Sequence, residues 1–134
     1  MSRGIDVPAL VVSFEDTSLD PSCFGHREHI AVAWWLVREL ELLDALCRFR
    51  SGILRLVHKA GAPDKYSETV TWAYLLLIRE RVARGSWSDF ETFAENNPDL
   101  FDHRSGALSR YYRPETLRSE LARREFVLPD AGLA

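Results

Sequence analysis

The sequence predicts an all-α, single-domain, compact bundle of four to six helices. Three observations predict it. Long stretches carry apolar residues at three-to-four spacing, capping or stop signals bound them, and no stretch alternates apolar and polar residues as a half-buried strand does. The first helix is expected at about Val7–Glu15, with Asp6 as its cap and Pro8 in its first turn, before a loop over residues 16–21. The second, about residues 26–41, turns Ile30, Ala33, Leu36, Val37 and Leu40 inward. The third, about 43–60, sets Leu43, Leu46, Cys47, Ile53, Leu54 and Val57 on one side and stops at Gly61, with Pro63 beyond. The fourth, about 67–84, carries Glu68, Thr71 or Trp72, Leu75, Ile78 and Val82 on its inner stripe and stops at Gly85. Ser88-Asp89-Phe90-Glu91 reads as a capping box for a short helix that Asn97-Pro98 ends. Pro114 opens a last helix over about 115–124, and residues 126–134 form an extended tail packed through Phe126 and Leu128.

Bulk composition narrows the class. A chain of 134 residues, 46% hydrophobic and 28% charged, suits one domain with a real core and a wet surface. A formal net charge of −3 gives no footprint for nucleic acid or an anionic membrane. The late arginines Arg104, Arg110, Arg113, Arg118, Arg123 and Arg124 are interleaved with Asp102, Glu115, Glu120, Glu125 and Asp130, as on a solvated, ion-paired face. The longest apolar runs, 30–37 and 72–78, fall far short of the roughly 18 residues of a membrane span. Residues 1–12 lack a charged start followed by a long apolar run, so a cytoplasmic protein is expected. Cys23 and Cys47 form no metal or redox motif and are expected to be buried free thiols.

His26 and His29 carry the strongest hint of chemistry. Three residues apart on a helix, they lie about 60° apart, at the head of the stripe that Ile30 and Ala33 continue. Short connections make successive helices antiparallel. The starts of the second and fourth helices and the finish of the third therefore fall at one end of the bundle. That end collects His26, His29, His58, Tyr66, Ser67 and Glu68.

Imidazole and carboxylate suit zinc, iron or manganese, so His26, His29 and Glu68, with His58 as a further donor, are candidate ligands of a divalent metal. The same groups also suit acid–base work without a cofactor. In that reading Glu68, Tyr66 and His29 are the catalytic candidates, Tyr66 donating a hydrogen bond to the substrate. His58 alternatively complements a helix C-terminus, Glu68 a helix N-terminus, and His103 and Asp102 belong to a loop. Arg123 either clamps a substrate carboxylate or pairs with a neighbouring acid. The chain has no G-x-S-x-G elbow, Gly-rich phosphate loop or H-E-x-x-H.

These residues resemble a widespread group of small bacterial proteins with segments like F-x-H-x-x-H-x-x-x-A-W, Y-H-E-T-x-T-x-x-W and Y-x-P-x-x-L-x-S-x-x-A-R-x-x-F-V-x-P-D. Here the first segment is Phe24, His26, His29, Ala33 and Trp34, and the second is Tyr66-Ser67-Glu68-Thr69-Val70-Thr71. The last is Tyr112, Pro114, Leu117, Ser119, Ala122-Arg123, Phe126-Val127 and Pro129-Asp130. The resemblance implies a shared helical fold and a shared polar pocket, not a reaction. Ser67 stands where the group tends to have histidine, which removes one donor from any metal set the group shares.

The function expected is a small intracellular enzyme acting on an organic small molecule. A dehydration, cyclisation or isomerisation in specialised biosynthesis suits its size. The alternative is a non-catalytic module that binds a ligand or partner, with structural histidines. Trp34 and Trp35, being adjacent, do not share one core face, so one of them is a candidate homodimer contact. A sensor of metal or pH is a third reading.

Overall fold

Capping side chains set the helix ends in the computed structural model, which describes residues 4–102 and 106–132. Those residues contain seven helices: α1 (Val7–Glu15), α2 (His26–Glu39), α3 (Leu42–Lys59), α4 (Glu68–Arg84), α5 (Phe90–Asn96), α6 (Pro114–Leu117) and α7 (Glu120–Arg124). Short 3₁₀ turns lie at Pro21–Cys23, Pro63–Lys65, Pro98–Phe101 and Ala107–Arg110, and no strand occurs among the described residues. The Asp6 carboxylate accepts from the Ala9 N–H, and Ser67 Oγ accepts from the Val70 N–H. Asp89, not Ser88, caps α5 by accepting from the Thr92 N–H. The last expected helix is broken in two. Ser119 is extended, its hydroxyl donates to Thr116 O at 2.7 Å, and it accepts from the Ala122 N–H to start α7 afresh.

The central element is α2, packed against α1, α3 and α4. Ile30, Ala31, Val32, Ala33 and Trp34 are buried in unbroken succession, so α2 has no single inward face. Trp34 lies against Phe90 and Phe93, with the Arg38 guanidinium 4.2 Å from its ring centre, while Trp35 is half-buried.

The buried stripe of α3 is Ala45, Leu46, Phe49, Gly52, Ile53 and Leu56. This corrects the sequence reading by roughly a quarter-turn of the helix. Leu43 is 73% exposed, and Cys47 and Cys23 are both exposed rather than buried. Phe49 and Gly52 take the inner positions because Phe14 of α1 occupies the hollow at Gly52. A Cβ there would lie 2.0 Å from Phe14 Cζ.

Two polar devices fasten the later chain to α4. Arg81 donates to Asn97 Oδ1 at 2.9 Å and to both oxygens of Asp99 at 3.0 and 2.7 Å, which places the turn Pro98–Phe101. This forked pair holds the Asp99 carboxyl below the usual carboxylate range. Thr69, fully buried, donates to Glu125 O at 2.7 Å and accepts from the Val127 N–H at 3.0 Å. Tyr112 donates to Val127 O, and Asp130 accepts from the Arg113 N–H and the Thr116 hydroxyl. Residues 125–130 thereby form a strap across α4, with Phe126 stacked on Trp72 at 5.0 Å. Leu128, expected to pack, is 73% exposed. No helix among the described residues is long and apolar enough to cross a membrane.

Candidate functional site

The expected convergence of helix ends occurs, with a different membership. An open cleft of about 540 Å³ is walled by Phe24, by His29 from the first turns of α2, by Ile53, Leu56, Val57 and Ala60 from the later part of α3, and by Tyr66, Ser67, Val70 and Thr71 at the start of α4. Lys65, from the connecting 3₁₀ turn, stands at its edge. The wall is mostly apolar, with a few polar groups converging on it, as small-molecule sites are built.

His29 is the histidine of this cleft. Its ring lies 4.5 Å from that of Phe24 and edge-on to Phe49 at 6.3 Å, centre to centre. Burial among these rings lowers its pKa to about 4, against a weaker upward pull from the Gly25 carbonyl. The imidazole is therefore neutral at pH 7. Its Nδ1 is 3.4 Å from Gly25 O, and a carbonyl only accepts, so the proton sits on Nδ1 and the lone pair is left on Nε2.

His26 serves the opposite side of α2. Its Nε2–H donates to Leu100 O at 2.7 Å, and its ring meets Tyr74 edge-on. It anchors the turn that Arg81 and Asp99 place. His58 lies in a second hollow, beside Phe14, Leu19 and Lys59. Glu68 is not among the residues lining the cleft, and its side chain is 14% exposed. Its carboxylate accepts from Arg50 Nε at 2.9 and 3.1 Å and from the Tyr66 hydroxyl.

The residues expected as metal ligands are placed apart. His26, His29, Glu68 and His58 go to different partners, and among the described residues no three His, Cys, Asp or Glu side chains are grouped to hold a metal ion. His26 spends its Nε2–H on a carbonyl, and Glu68 is engaged by a guanidinium and a phenol.

The chain matches no protein-family model, no curated protein and no solved structure. Its chemistry is therefore read from the cleft alone.

Tyr66 lies at the cleft wall and is nearly buried. Its phenol donates to Glu68. Burial first, then the bond to Glu68, raises its pKa, so it stays protonated across the ordinary pH range. The expected hydrogen bond from Tyr66 to a substrate is thus already taken by Glu68. Ser67 reaches the cleft as the cap of α4. Thr71 is a cleft group that sequence reading named only as a core position; its four-residue spacing from the cap Ser67 was the available signal. Arg123 pairs with Glu120, the second of its two expected roles. Asp102 is exposed, and His103 lies outside the described residues.

Proposed function

We propose that this protein binds a small, mainly apolar organic molecule in the cleft between α2, α3 and α4. A single observation carries the reading: a neutral imidazole, His29, with Lys65, Tyr66, Ser67 and Thr71, lines a mostly apolar hollow of about 540 Å³. Ile53, Leu56, Val57 and Val70 supply the surface against which an apolar body gains burial energy. The His29 ring, in contact with Phe24 at the cleft wall, reports on an occupant of the cleft.

The test is histidine-resolved NMR with two bound probes, 3-phenylpropionamide and 3-phenylpropionate. Either probe is expected to move the His29 ring resonance in the wild-type protein and not in Ala60→Trp, where an indole fills the cleft from its exposed edge. A His29 resonance unmoved by both probes at millimolar concentration overturns the reading.

A second reading, catalysis on the bound molecule, is favoured by one arrangement. Arg50, Glu68 and Tyr66 form a hydrogen-bonded chain that ends at the cleft wall, which the His29 base and the Thr71 hydroxyl also line. In that reading His29 takes a proton from the ligand, and Glu68 positions Tyr66. His29→Gln, which keeps a hydrogen-bonding side chain but has no imidazole base, then abolishes turnover while binding persists.

A further inference from the structure

Charge at the cleft is one-sided. Among its lining residues Lys65 is the only formally charged side chain at pH 7, and no carboxylate lines the wall. The overall formal charge of the chain is −3, so a cationic cleft runs against the molecule's own balance. Glu68, next to Ser67 in the chain, is outside the lining and is covered by Arg50 and Tyr66. Lys65 itself makes no ion pair or hydrogen bond through its ammonium group among the described residues.

Two further observations agree in sign. Ser67, which lines the cleft, is the cap of the 17-residue helix α4, so the positive end of that helix dipole lies at the same place as Lys65. His29, held neutral by burial, adds no competing charge and places no second cation beside the first.

Resting on the cleft as the binding site, we infer that its ligand is a monocarboxylate with an apolar body. The carboxylate meets Lys65 and the Thr71 hydroxyl at the α4 end, beside the cap Ser67, and the hydrocarbon lies along Ile53, Leu56, Val57 and Val70. A free amine or a zwitterion is disfavoured, because no acid in the wall receives an ammonium group. A neutral molecule leaves the lysine charge unanswered. A dianion meets only one full positive charge.

The probes are a matched pair, 3-phenylpropionate and 3-phenylpropionamide, alike in body and differing in charge. Affinities are measured by calorimetry, with the His29 ring resonance followed alongside, on the wild-type protein and on Lys65→Gln. Lys65 is exposed and bears no packing role, so the variant folds. The carboxylate is expected to bind the wild-type protein about fivefold more tightly than the amide, and Lys65→Gln to erase that preference while leaving the amide unchanged. Raising the salt concentration shrinks the preference in the wild-type protein only. Equal affinity for the two probes overturns the carboxylate assignment, and a preference undiminished in Lys65→Gln overturns the seating of the carboxylate on Lys65, while in either case the cleft remains a binding site. Failure of both probes to bind or to move His29 overturns the cleft itself.

Discussion

At the scale of single residues, the two histidines show how little spacing alone decides. His26 and His29 stand one turn apart on α2, yet one holds a backbone carbonyl beside Tyr74 and the other lines the cleft beside Phe24 and Phe49. An amphipathic helix would turn both to one core. Because α2 is buried from Ile30 through Trp34, a 60° step suffices to pass from one set of neighbours to another.

The burial of His29 has a consequence for stability against pH. Its folded pKa is lowered to about 4 from an ordinary value of 6.5, so the unfolded chain takes up the proton first as the medium is acidified. The favourable contribution is whole above pH 6.5 and is lost as pH falls through 6.5 towards 4, by on the order of 3 kcal/mol. Urea unfolding across that window should show the loss in the wild-type protein and a flatter profile in His29→Gln. An NMR titration placing the imidazole near 6.5 would contradict this.

Among the elements, α4 does the most. Its start walls the cleft, its middle receives the strap, and its Arg81 places the turn that His26 holds. Helix ends were legible in the sequence because capping is local chemistry. The ends of α1 through α4 fall within one or two residues of expectation. The facing of α3 was not legible. Leu43 and Cys47 are apolar in type, but Phe49 and Gly52 are what α1 packs against, and a glycine carries no hydrophobic signal. Nor does a sequence show that Glu68 has Arg50 as partner eighteen positions away.

The strap offers the sharpest test at this scale. Thr69→Val keeps shape and removes a hydroxyl that serves two backbone groups, the Glu125 carbonyl and the Val127 N–H. Leaving them unpaired is expected to cost about 1–3 kcal/mol. Amide exchange should quicken over residues 125–130 before the rest of the molecule is affected. Uniform loosening of all helices instead would show that the strap is no separate unit.

For the molecule as a whole, the aromatic residues join its parts. Phe14 of α1 is stacked on Phe24 at 5.4 Å and lies 6.3 Å from Phe49, and Phe24 in turn touches His29. Gly52 makes room for that first ring. Gly52→Ala is therefore expected to destabilise the fold by about 1–3 kcal/mol through overpacking, although alanine favours a helix. The displaced ring should also shift the His29 resonance, a signal that chemical denaturation and NMR on one sample separate from simple loss of stability. The convergence of three helix ends on one cleft was readable from antiparallel connectivity. The membership of the site was not, because side-chain partners depend on which neighbours a central helix meets.

The strap also bears on how the chain comes to be made. Thr69 bonds to backbone groups 56 and 58 positions further along. While a ribosome is still adding those positions, Trp72 has no Phe126 to cover it, and the outer side of α4 stays sticky. The helices ahead of it can collapse early on local contacts, but closing this side waits for late synthesis. That interval is when a nascent chain of this kind is most open to a chaperone or to self-association.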